Sequence, residues 1–486
     1  MIVGLGASRR RGIRLAAFAC VLVSFTWFQL QDSLLPLAYH AYHSEIWRAG
    51  LVAKEFFLFA ALILLVWADW SGHALRLTTT GLLAGGFIGL ALLYLIVGND
   101  SLPLAVQLVG LRGILTPILA VTVGRMLKPS FPELRILVRI LLLIALASIV
   151  FGLIDLALHH ATWTSTLDYG TYLTDVKGAE NGFRPDVFLP WNFWWKAPSG
   201  IYVDRMAGLV GSPLGMGYYL LFPYLLVLSL SMSGIRRIGR LHTTWMVPLL
   251  LLAIALTITR AAIIAAGLGS LVLVVQRTRL TVKGLRRRVL IICSLALVLG
   301  ALFLALGPLA REVAGDSLQL ADGSSAGHVG KLTENIDPVL HHLAIGAGLG
   351  SAGSTTLLGQ DAPVGEDSYI VLWYQLGLPA LVMFLLWWMS VTFVAKRHSN
   401  ARGLTAHAIC SAAVAGSVAY GFTGIFSDQL WTFTSVVHFW LFLGIASTIS
   451  VHVMPRSAAR MILGMPSHAS ALPPLADQLA SGGSIH

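Results

Sequence analysis

Long apolar segments separated by short polar hairpins recur along almost the whole of this 486-residue chain. About 17–25 predominantly apolar residues are enough for one helix to cross a bilayer. The chain is 56% hydrophobic and only 11% charged, whereas soluble domains carry about 25% charged residues. The sequence therefore predicts an all-α polytopic integral membrane protein. The twelve predicted spans are residues 15–31, 51–70, 79–98, 103–125, 136–158, 208–231, 243–259, 261–276, 289–308, 369–395, 407–427 and 431–452.

The positions of Lys and Arg predict how these spans are oriented. Cytoplasmic hairpins of membrane proteins carry an excess of basic residues, and here the hairpins after the even-numbered spans are the basic ones. Both termini are therefore predicted to be cytoplasmic, and the formal net charge of +11 requires no nucleic-acid partner. Segments 243–259 and 261–276 are joined with almost no turn, and as one kinked helix they would invert everything downstream. The basic residues concerned are Arg76, Arg125, Lys128, Arg135, Arg236, Arg237, Arg240, Arg277, Arg279, Lys283, Arg286, Arg287, Arg288, Lys396, Arg397 and Arg402.

This topology divides the chain into three membrane blocks and two long extracytoplasmic loops. Loops longer than about 15 residues are usually functional or disordered, so chemistry is expected in these two, and both are expected to contain short helices. The terminal segment is rich in Ala, Ser, Pro and Gly and is predicted to be a disordered cytoplasmic tail. The predicted blocks are 1–158 (spans 1–5), 159–207 (first loop), 208–308 (spans 6–9), 309–368 (second loop), 369–452 (spans 10–12) and 453–486 (tail).

The cysteine and histidine positions give no pattern typical of a metal site. Cys20, Cys293 and Cys410 all fall within apolar segments, and an odd number of buried thiols argues against a disulfide framework or a zinc site. His341 and His342 are neighbours, so on a helix they would point to different faces and chelate one ion poorly. We expect neither a metal nor another cofactor.

Three arginines stand where charge is costly. Arg260 lies between two apolar runs, and Arg112 lies about ten residues into the predicted fourth span. An ionisable residue within or beside a span is a functional hypothesis by default, although Arg260 could instead snorkel to water and Arg112 could pair with a carboxylate. Arg205 precedes the predicted sixth span, where snorkelling is again the structural interpretation. The functional interpretation of Arg205 is a phosphate contact, since guanidinium groups bind phosphate oxygens bidentately.

The end of the second loop brings further titratable residues. Glu366 and Asp367 directly precede the aromatic start of the predicted tenth span, which includes Tyr369. Adjacent carboxylates in a loop are most often simply solvated, but partial burial by aromatic rings would raise a carboxylate pKa toward values that suit a general base. His328 is another titratable candidate in this loop.

Aromatic residues cluster in the first loop around residues 191–195, including Trp195. Trp and Tyr collect at bilayer interfaces, so an interfacial amphipathic helix is one interpretation. The other is a platform on which sugar rings stack.

Several short motifs follow one another between residues 205 and 395. An Arg–x–x–Gly–…–Pro segment opens a mid-chain helix, and a Thr–Arg pair stands at the outer end of another. A Gly–x–Gly–x–Gly stretch lies in the second loop, before a span that opens with Tyr and Ile. The residues that form these motifs are Arg205, Gly208 and Pro213; Thr259 and Arg260; Gly346, Gly348 and Gly350; and Tyr369, Ile370 and Gly377.

In order and spacing these motifs resemble those of the bacterial O-antigen polymerase and O-antigen ligase superfamily, whose members have about a dozen spans. The family's His–Asn pair before the tenth span is Glu366–Asp367 here, and Gln375 stands where the family usually has Glu. The Glu–Asp–Ser–Tyr form looks more like the exopolysaccharide polymerases than like the ligases.

The resemblance implies a membrane glycosyltransferase that polymerises undecaprenyl-diphosphate-linked oligosaccharide repeat units on the outer face of the bacterial inner membrane. It implies a metal-independent, inverting transfer in which Arg205 and Arg260 bind the diphosphate and Glu366 takes the proton of the acceptor hydroxyl. The expected partners are the lipid-linked glycan, membrane lipid, a chain-length regulator and export machinery. The expected substrate contacts are Arg112, His328, Lys331, Asp367, Tyr369 and Trp195.

Three other functions are compatible with the sequence. An O-antigen ligase would use the same donor and transfer the glycan to lipid A-core. A transporter or flippase would place charged residues at the bilayer midplane, with substrate sites between repeats. A passive scaffold of an export complex would tolerate the loss of Arg260.

Overall fold

The computed structural model describes residues 7–42, 46–70, 78–97, 102–177, 182–196, 200, 202–239, 241–277, 330, 334–353, 365, 367–399, 403–431 and 433–449. Helices dominate these residues. They are α1 (Ala7–Tyr42), α2 (Ile46–Trp70), α3 (Thr79–Val97), α4 (Leu104–Leu127), α5 (Phe131–Ala157), α6 (Tyr169–Lys177), α7 (Pro213–Met232), α8 (Thr243–Leu256), α9 (Arg260–Arg277), α10 (Ser368–His398), α11 (Leu404–Thr423) and α12 (Phe433–Ala446). Three antiparallel hairpins pair β1 (Phe183–Arg184) with β2 (Leu189–Pro190), β3 (Trp194–Lys196) with β4 (Tyr202–Asp204), and β5 (Arg237–Ile238) with β6 (Leu241–His242).

Nine helices of the described chain are long and apolar enough to cross a membrane. They are α1 to α5, α7, α9, α10 and α11, while α8 and α12 are apolar but shorter. The predicted all-α architecture of a polytopic membrane protein is therefore confirmed. The count of twelve spans stays a prediction, because span 289–308 lies outside the described residues, as does the predicted tail 453–486.

The helical conformation is interrupted between α8 and α9. α8 ends at Leu256 and α9 begins at Arg260. Between them Ile258 has a φ of 49°, a left-handed conformation that β-branched residues rarely adopt. Segments 243–259 and 261–276 are therefore not one continuous helix.

α7 lies at the centre of the bundle. Its N-cap Ser212 accepts a hydrogen bond from the Gly215 N–H at 3.3 Å, and Pro213 fits the first turn because no backbone N–H is needed there. Nearly every residue from Pro213 to Ser231 is buried, against neighbours that include α8, α9, α11 and α12. A helix that is apolar on all sides is stable only in such a buried position.

The connections between successive helices lie at the two opposite ends of the bundle. At one end, Arg277 donates to the Ser229 carbonyl at 3.0 Å, and the Ser229 hydroxyl donates to the Ala408 carbonyl at 2.8 Å. Arg139 of α5 packs there against Gly239. We call this the basic end, and the opposite end, which holds Arg205 and Asp367, the site end. Several hairpins predicted to be basic thus share one end, while the side of the membrane it faces stays a prediction.

The described residues 162–177, 182–196 and 202–207, after α5, fold into a small aromatic subdomain. It contains α6, as the prediction of short helices in this loop implied, but also the β1–β2 and β3–β4 hairpins, which the sequence did not predict. Fully buried Trp163, Tyr172 and Phe193 form its core with Leu35 of α1. The 36 residues of α1 span about 54 Å, well beyond the roughly 30 Å of a bilayer core. The end of α1 therefore leaves the predicted span 15–31 and supports this subdomain.

Candidate functional site

Arg205 joins three parts of the chain at the site end. Its backbone N–H donates to the Phe193 carbonyl at 2.9 Å. Its guanidinium group donates to the carbonyls of Asn192 and Thr257, at 3.0 and 2.9 Å, and to the Thr259 hydroxyl at 3.2 Å. These bonds hold the aromatic subdomain against the break between α8 and α9. Within the described residues they use three of the five N–H donors of a guanidinium group, which leaves two for a ligand.

Arg260 opens α9 beside this junction. Burial, together with the positive charge of Arg260, lowers the pKa of Arg205 to about 10, so Arg205 still carries its charge at neutral pH. Both side chains are half-buried. Two neighbouring guanidinium groups repel each other, and an anion bound between them replaces repulsion by charge-assisted hydrogen bonds. The structure thus brings Arg205 and Arg260 together in a place that suits an anionic ligand.

The turn between α11 and α12 contributes further residues to the site. Tyr218, in the second turn of α7, lies near Ser427 and within electrostatic reach of both Asp428 and Arg205. Asp428 opens a short 3-10 helix that leads toward α12. Sequence reasoning missed Asp428, although it has the same signal as Arg260, a single ionisable residue between two apolar runs.

Asp367 caps α10 from a buried position. Its Oδ1 accepts hydrogen bonds from the N–H groups of Tyr369 and Ile370, at 2.9 and 3.0 Å, and the residue is 7% exposed. Burial raises the pKa of Asp367 to about 6, against the opposing effect of these two hydrogen bonds. A carboxylate with this pKa is mostly ionised at neutral pH and is basic enough to accept a proton in a reaction.

Ser368 ties the start of α10 to the turn that holds Ser427. Its N–H donates to the Gly424 carbonyl at 2.9 Å, and its hydroxyl donates to the Ser427 carbonyl at 2.6 Å. Its carbonyl accepts the indole N–H of Trp431 at 2.9 Å. The same turn lies near Tyr218, which is within electrostatic reach of Arg205, so the Asp367 cap and the arginine pair lie on neighbouring elements of the site end.

The remaining predicted residues either have structural partners or lie outside the described residues. Tyr369 donates its hydroxyl to the Gly421 carbonyl at 2.6 Å, which fixes α10 against α11. Trp195 is 7% exposed and lies in the β3–β4 hairpin. Outside the described residues are Glu366, His328 and Lys331, so their roles stay predictions.

Exposed aromatic rings lie close to Trp195 on the same subdomain. Trp191 and Tyr202 are 42% and 39% exposed, and their ring centroids are 5.7 Å apart. The Arg184 guanidinium group lies 5.0 Å from the centroid of the Tyr202 ring. Residues 191–193 form a short 3-10 turn and residues 194–196 form β3, so the segment is not an interfacial amphipathic helix.

The Gly-rich stretch of the second loop docks into a break in α10. Gly377 interrupts the helix with a φ of 81°, and Pro379 has no N–H to donate to the Gln375 carbonyl. The N–H groups of Ala347 and Gly348 instead donate to carbonyls of this turn, at 2.7 and 3.1 Å. Irregular backbone at membrane depth is tolerated only where the protein satisfies it or where it lines a cavity. The carbonyls at the break in α10 provide the hydrogen-bond acceptors for the N–H groups of this loop.

Gln375 clamps this loop with both ends of its side-chain amide. Its Oε1 accepts from the Gly350 N–H at 3.0 Å, and its Nε2 donates to the Ala352 carbonyl at 2.8 Å. An ionised Glu has no donor for the second bond, which is a physical reason for Gln at this position. On the other side, a Cβ on Gly110 of α4 would lie 2.8 Å from the Gly350 Cα, so loop and helix touch backbone to backbone.

An apolar groove of about 610 Å³ lies where the Gly-rich loop begins. From this groove the loop leads to Gly353, where a Cβ would lie 3.6 Å from the Asp428 carboxylate. One segment of chain thus connects a hydrocarbon-like surface to the charged region. The groove is lined by Leu83, Leu343, Ala344, Leu378, Pro379, Val382, Met383 and Leu386.

Arg112 belongs to an ion cluster between α2 and α4, in which Lys54 and Glu55 are buried and Arg112 is partly exposed. Its Nη1 lies 3.7 Å from the Glu55 Oε1, and the Lys54 Nζ lies 3.6 Å from the same oxygen. Lys54 also donates to the Gln31 Oε1 at 2.6 Å. Two interpretations of Arg112 were open, and the structure agrees with the one in which Arg112 pairs with a carboxylate. The sequence analysis missed Lys54 and Glu55, two adjacent charges inside an apolar run, which were themselves a signal.

Metal ligands are not gathered in the part of the chain that the structure describes. No group of three or more His, Cys, Asp or Glu side chains is placed there to hold a metal ion. Cys20 and Cys410 are free thiols, and Cys293 lies outside the described residues.

No protein-family model matches this chain, and no curated protein matches it either. The resemblance to the O-antigen polymerase and ligase superfamily therefore depends on its motifs. Among the motif residues, Arg205 bonds to Thr259, while Gly350 bonds to Gln375 of α10 and Tyr369 bonds to Gly421 of α11.

Proposed function

We propose that this protein is a membrane glycosyltransferase, a polysaccharide polymerase that joins undecaprenyl-diphosphate-linked oligosaccharide repeat units. The observation that carries the proposal is the pair of neighbouring cationic groups, Arg205 and Arg260, at the same end of the bundle as the buried carboxylate of Asp367. A lipid-linked sugar diphosphate needs cationic groups for the diphosphate, a base for the acceptor and a hydrocarbon surface for its tail. This region offers all three.

The proposed reaction is a single displacement at the donor sugar. The acceptor hydroxyl attacks the anomeric carbon from the face opposite the diphosphate, a glycosidic C–O bond forms, and the bond from that carbon to the diphosphate oxygen breaks with inversion. The hydroxyl proton passes to a carboxylate, and the bonding electrons leave with undecaprenyl diphosphate. The transfer is metal-independent, because fixed guanidinium groups meet the charge that develops on the leaving oxygen.

The two arginines have different parts in this proposal. Three hydrogen bonds to the protein fix Arg205 at the junction of the aromatic subdomain with the break between α8 and α9, so it presents its remaining N–H donors in a set direction. Arg260 supplies a second charge at the start of α9. Preorganised donors of this kind stabilise developing charge without reorganising during the reaction.

The proposed base is a carboxylate of the Glu366–Asp367 pair. Asp367 has the favourable environment among the described residues, since burial raises its pKa to about 6. A base that titrates near the working pH combines an ionised resting state with useful proton affinity. Glu366 is its neighbour in sequence, and variants of each residue distinguish the two.

The lipid tail of the substrate is assigned to the apolar groove between α3 and α10. The Gly-rich loop that begins at this groove ends beside Asp428, so a tail in the groove leaves its diphosphate near the charged region. The exposed Trp191 and Tyr202 rings offer stacking faces for the sugars. The site end would face away from the cytoplasm, in the bacterial inner membrane, with both termini cytoplasmic. A chain-length regulator and export machinery are the proposed protein partners.

A transporter is the second candidate, and the Lys54–Glu55–Arg112 cluster on the membrane helices α2 and α4 favours it. Charged residues within membrane helices mark substrate or ion pathways in many transporters. Here, however, the three side chains of the cluster pair with one another. The arginine pair lies elsewhere, at the break between α8 and α9 at the site end. Reconstitution with a lipid-linked oligosaccharide separates the two functions, because only the polymerase lengthens the glycan.

The proposal is tested by the length of polymer made in cells, with protein levels matched. Arg260→Ala, Glu366→Gln and Asp367→Asn are compared with Arg397→Ala, an arginine at the end of α10 that contacts the Phe393 ring. We expect short or no polymer from Arg260→Ala and from one carboxylate variant, and full-length polymer from Arg397→Ala. Full-length polymer from Arg260→Ala and from both carboxylate variants would refute the assigned roles. Glycan attached to lipid A-core instead of free polymer would identify a ligase.

A further inference from the structure

A second cavity lies at the basic end, far from Arg205 and Asp367. Its volume is about 290 Å³, at the small end of the range for ligand pockets. The first turns of α5, the β5–β6 hairpin and the start of α11 enclose it. The lining residues are Phe131, Leu134, Arg135, Val138, Arg139, Leu230, Ile235, Arg237, Ile238, Gly239, Thr405 and Ile409.

Three arginines contribute to this cavity from two directions. Arg135 and Arg139 are four residues apart on α5, so their side chains share one face and their charges repel. The Arg139 guanidinium group packs against Gly239, where any Cβ would lie 2.8 Å from the Arg139 Cζ. Arg237 donates from Nε to the His242 Nε2 at 2.7 Å, which orients its guanidinium group on the opposite wall.

The charge of the cavity lining is of one sign. None of the described lining residues is acidic, and apart from the three arginines and Thr405 they are apolar or glycine. Guanidinium groups gathered beside apolar walls repel one another, and a bound anion turns this repulsion into charge-assisted hydrogen bonds. The planar fork of Arg matches phosphate oxygens in particular.

We infer that this cavity binds a phosphate group, with Arg135, Arg139 and Arg237 as donors. The cavity is too small for a whole phospholipid, but it suits a phosphate headgroup whose acyl chains continue along the outside of α5 and α11. Basic pockets between membrane helices near the cytoplasmic surface bind anionic headgroups in this way. A free phosphate offers the same oxygens. The inference does not depend on the proposed transferase activity, since it uses no residue of the site end.

The test measures lipid binding to the purified full-length protein in detergent by native mass spectrometry. Phosphatidylglycerol and phosphatidylcholine are titrated separately, and millimolar inorganic phosphate is added as a competitor. The double variant Arg139→Gln/Arg237→Gln is compared with Arg397→Gln, which removes a charge from the end of α10 without touching the cavity. We expect phosphatidylglycerol to bind more tightly than phosphatidylcholine, and the double variant to lose about tenfold or more in affinity while the control does not.

Each outcome bears on the inference. Displacement of phosphatidylglycerol by inorganic phosphate supports a site for the phosphoryl group alone, and lack of displacement supports a site for the lipid headgroup. Equal affinity for the two lipids, or unchanged phosphatidylglycerol binding in a folded double variant, would overturn the inference. If the double variant does not fold, Arg237→Gln on the exposed hairpin gives the same readout.

Discussion

At the scale of single residues, Arg205 has a structural role and a proposed binding role, and the two can be separated. Its guanidinium group bonds to three acceptors on two segments, Asn192 and the break between α8 and α9, a geometry that the single ammonium group of Lys cannot reproduce. We predict that Arg205→Lys lowers the free energy of unfolding by about 1–3 kcal/mol, the usual cost of unpaired buried acceptors. Thermal unfolding in detergent measures this loss.

Arg260→Lys is the matched control for that experiment. It keeps the positive charge at the start of α9 and should change the unfolding temperature less than Arg205→Lys does. Equal stability of the Arg205→Lys and wild-type proteins would contradict the junction role assigned to Arg205.

Asp367 gives a prediction on pH dependence. Burial raises its pKa to about 6, so protonation below that pH removes the proposed base, and the rate should fall about tenfold per pH unit there. Asn caps helices about as well as Asp, so Asp367→Asn should keep the fold while losing about 10²–10⁴ in rate. Polymer synthesis by purified protein as a function of pH measures both effects.

The Asp367→Ala variant is the control for the capping role. It should lose both activity and about 1 kcal/mol of stability. Wild-type rates from a folded Asp367→Asn protein would exclude Asp367 as the base and leave Glu366.

At the scale of elements, the decisive contact is that between the Gly-rich loop, α4 and the break in α10. A Cβ on Gly110 would lie 2.8 Å from the Gly350 Cα, and neither backbone can move without losing hydrogen bonds. We predict that Gly110→Ala displaces the loop, abolishes polymer synthesis and speeds amide hydrogen exchange at Ala347–Gly350.

Gly267 of α9 is the matched control for Gly110. A Cβ there meets no atom within 4 Å, so Gly267→Ala should be neutral or stabilising by up to about 1 kcal/mol. Normal activity and exchange in Gly110→Ala would show that the loop does not depend on this contact.

The elements also show how far the sequence predicts this structure. The long spans follow from apolar runs, which are local information. The end of α1 does not, because Leu35 and Tyr39 are held by packing on the aromatic subdomain. Its hairpins have strands of two or three residues, whose pairing is set by tertiary contacts. The arginine pair was predictable from isolated charges beside apolar runs, whereas the environment of Asp367 depends on a turn about 60 residues away.

At the scale of the whole molecule, the account requires that the two ends of the bundle face opposite sides of the membrane. In a variant whose three native cysteines are replaced by Ala, we introduce Tyr202→Cys on the aromatic subdomain or Arg397→Cys at the basic end. A membrane-impermeant maleimide added to intact spheroplasts should label Tyr202→Cys, and should label Arg397→Cys only after the membrane is permeabilised. The opposite pattern would invert the proposed topology.

In the proposed function, the protein transfers a lipid-linked glycan whose diphosphate is bound by Arg205 and Arg260 at the site end. The most direct measurement is the chain length made by purified protein reconstituted in liposomes with an undecaprenyl-diphosphate-linked oligosaccharide, without nucleotide or added metal. We predict a ladder of longer lipid-linked glycans from the wild-type protein, and none from a folded Arg260→Ala protein. Unchanged oligosaccharide with the wild-type protein, or an equal ladder from Arg260→Ala, would contradict this prediction.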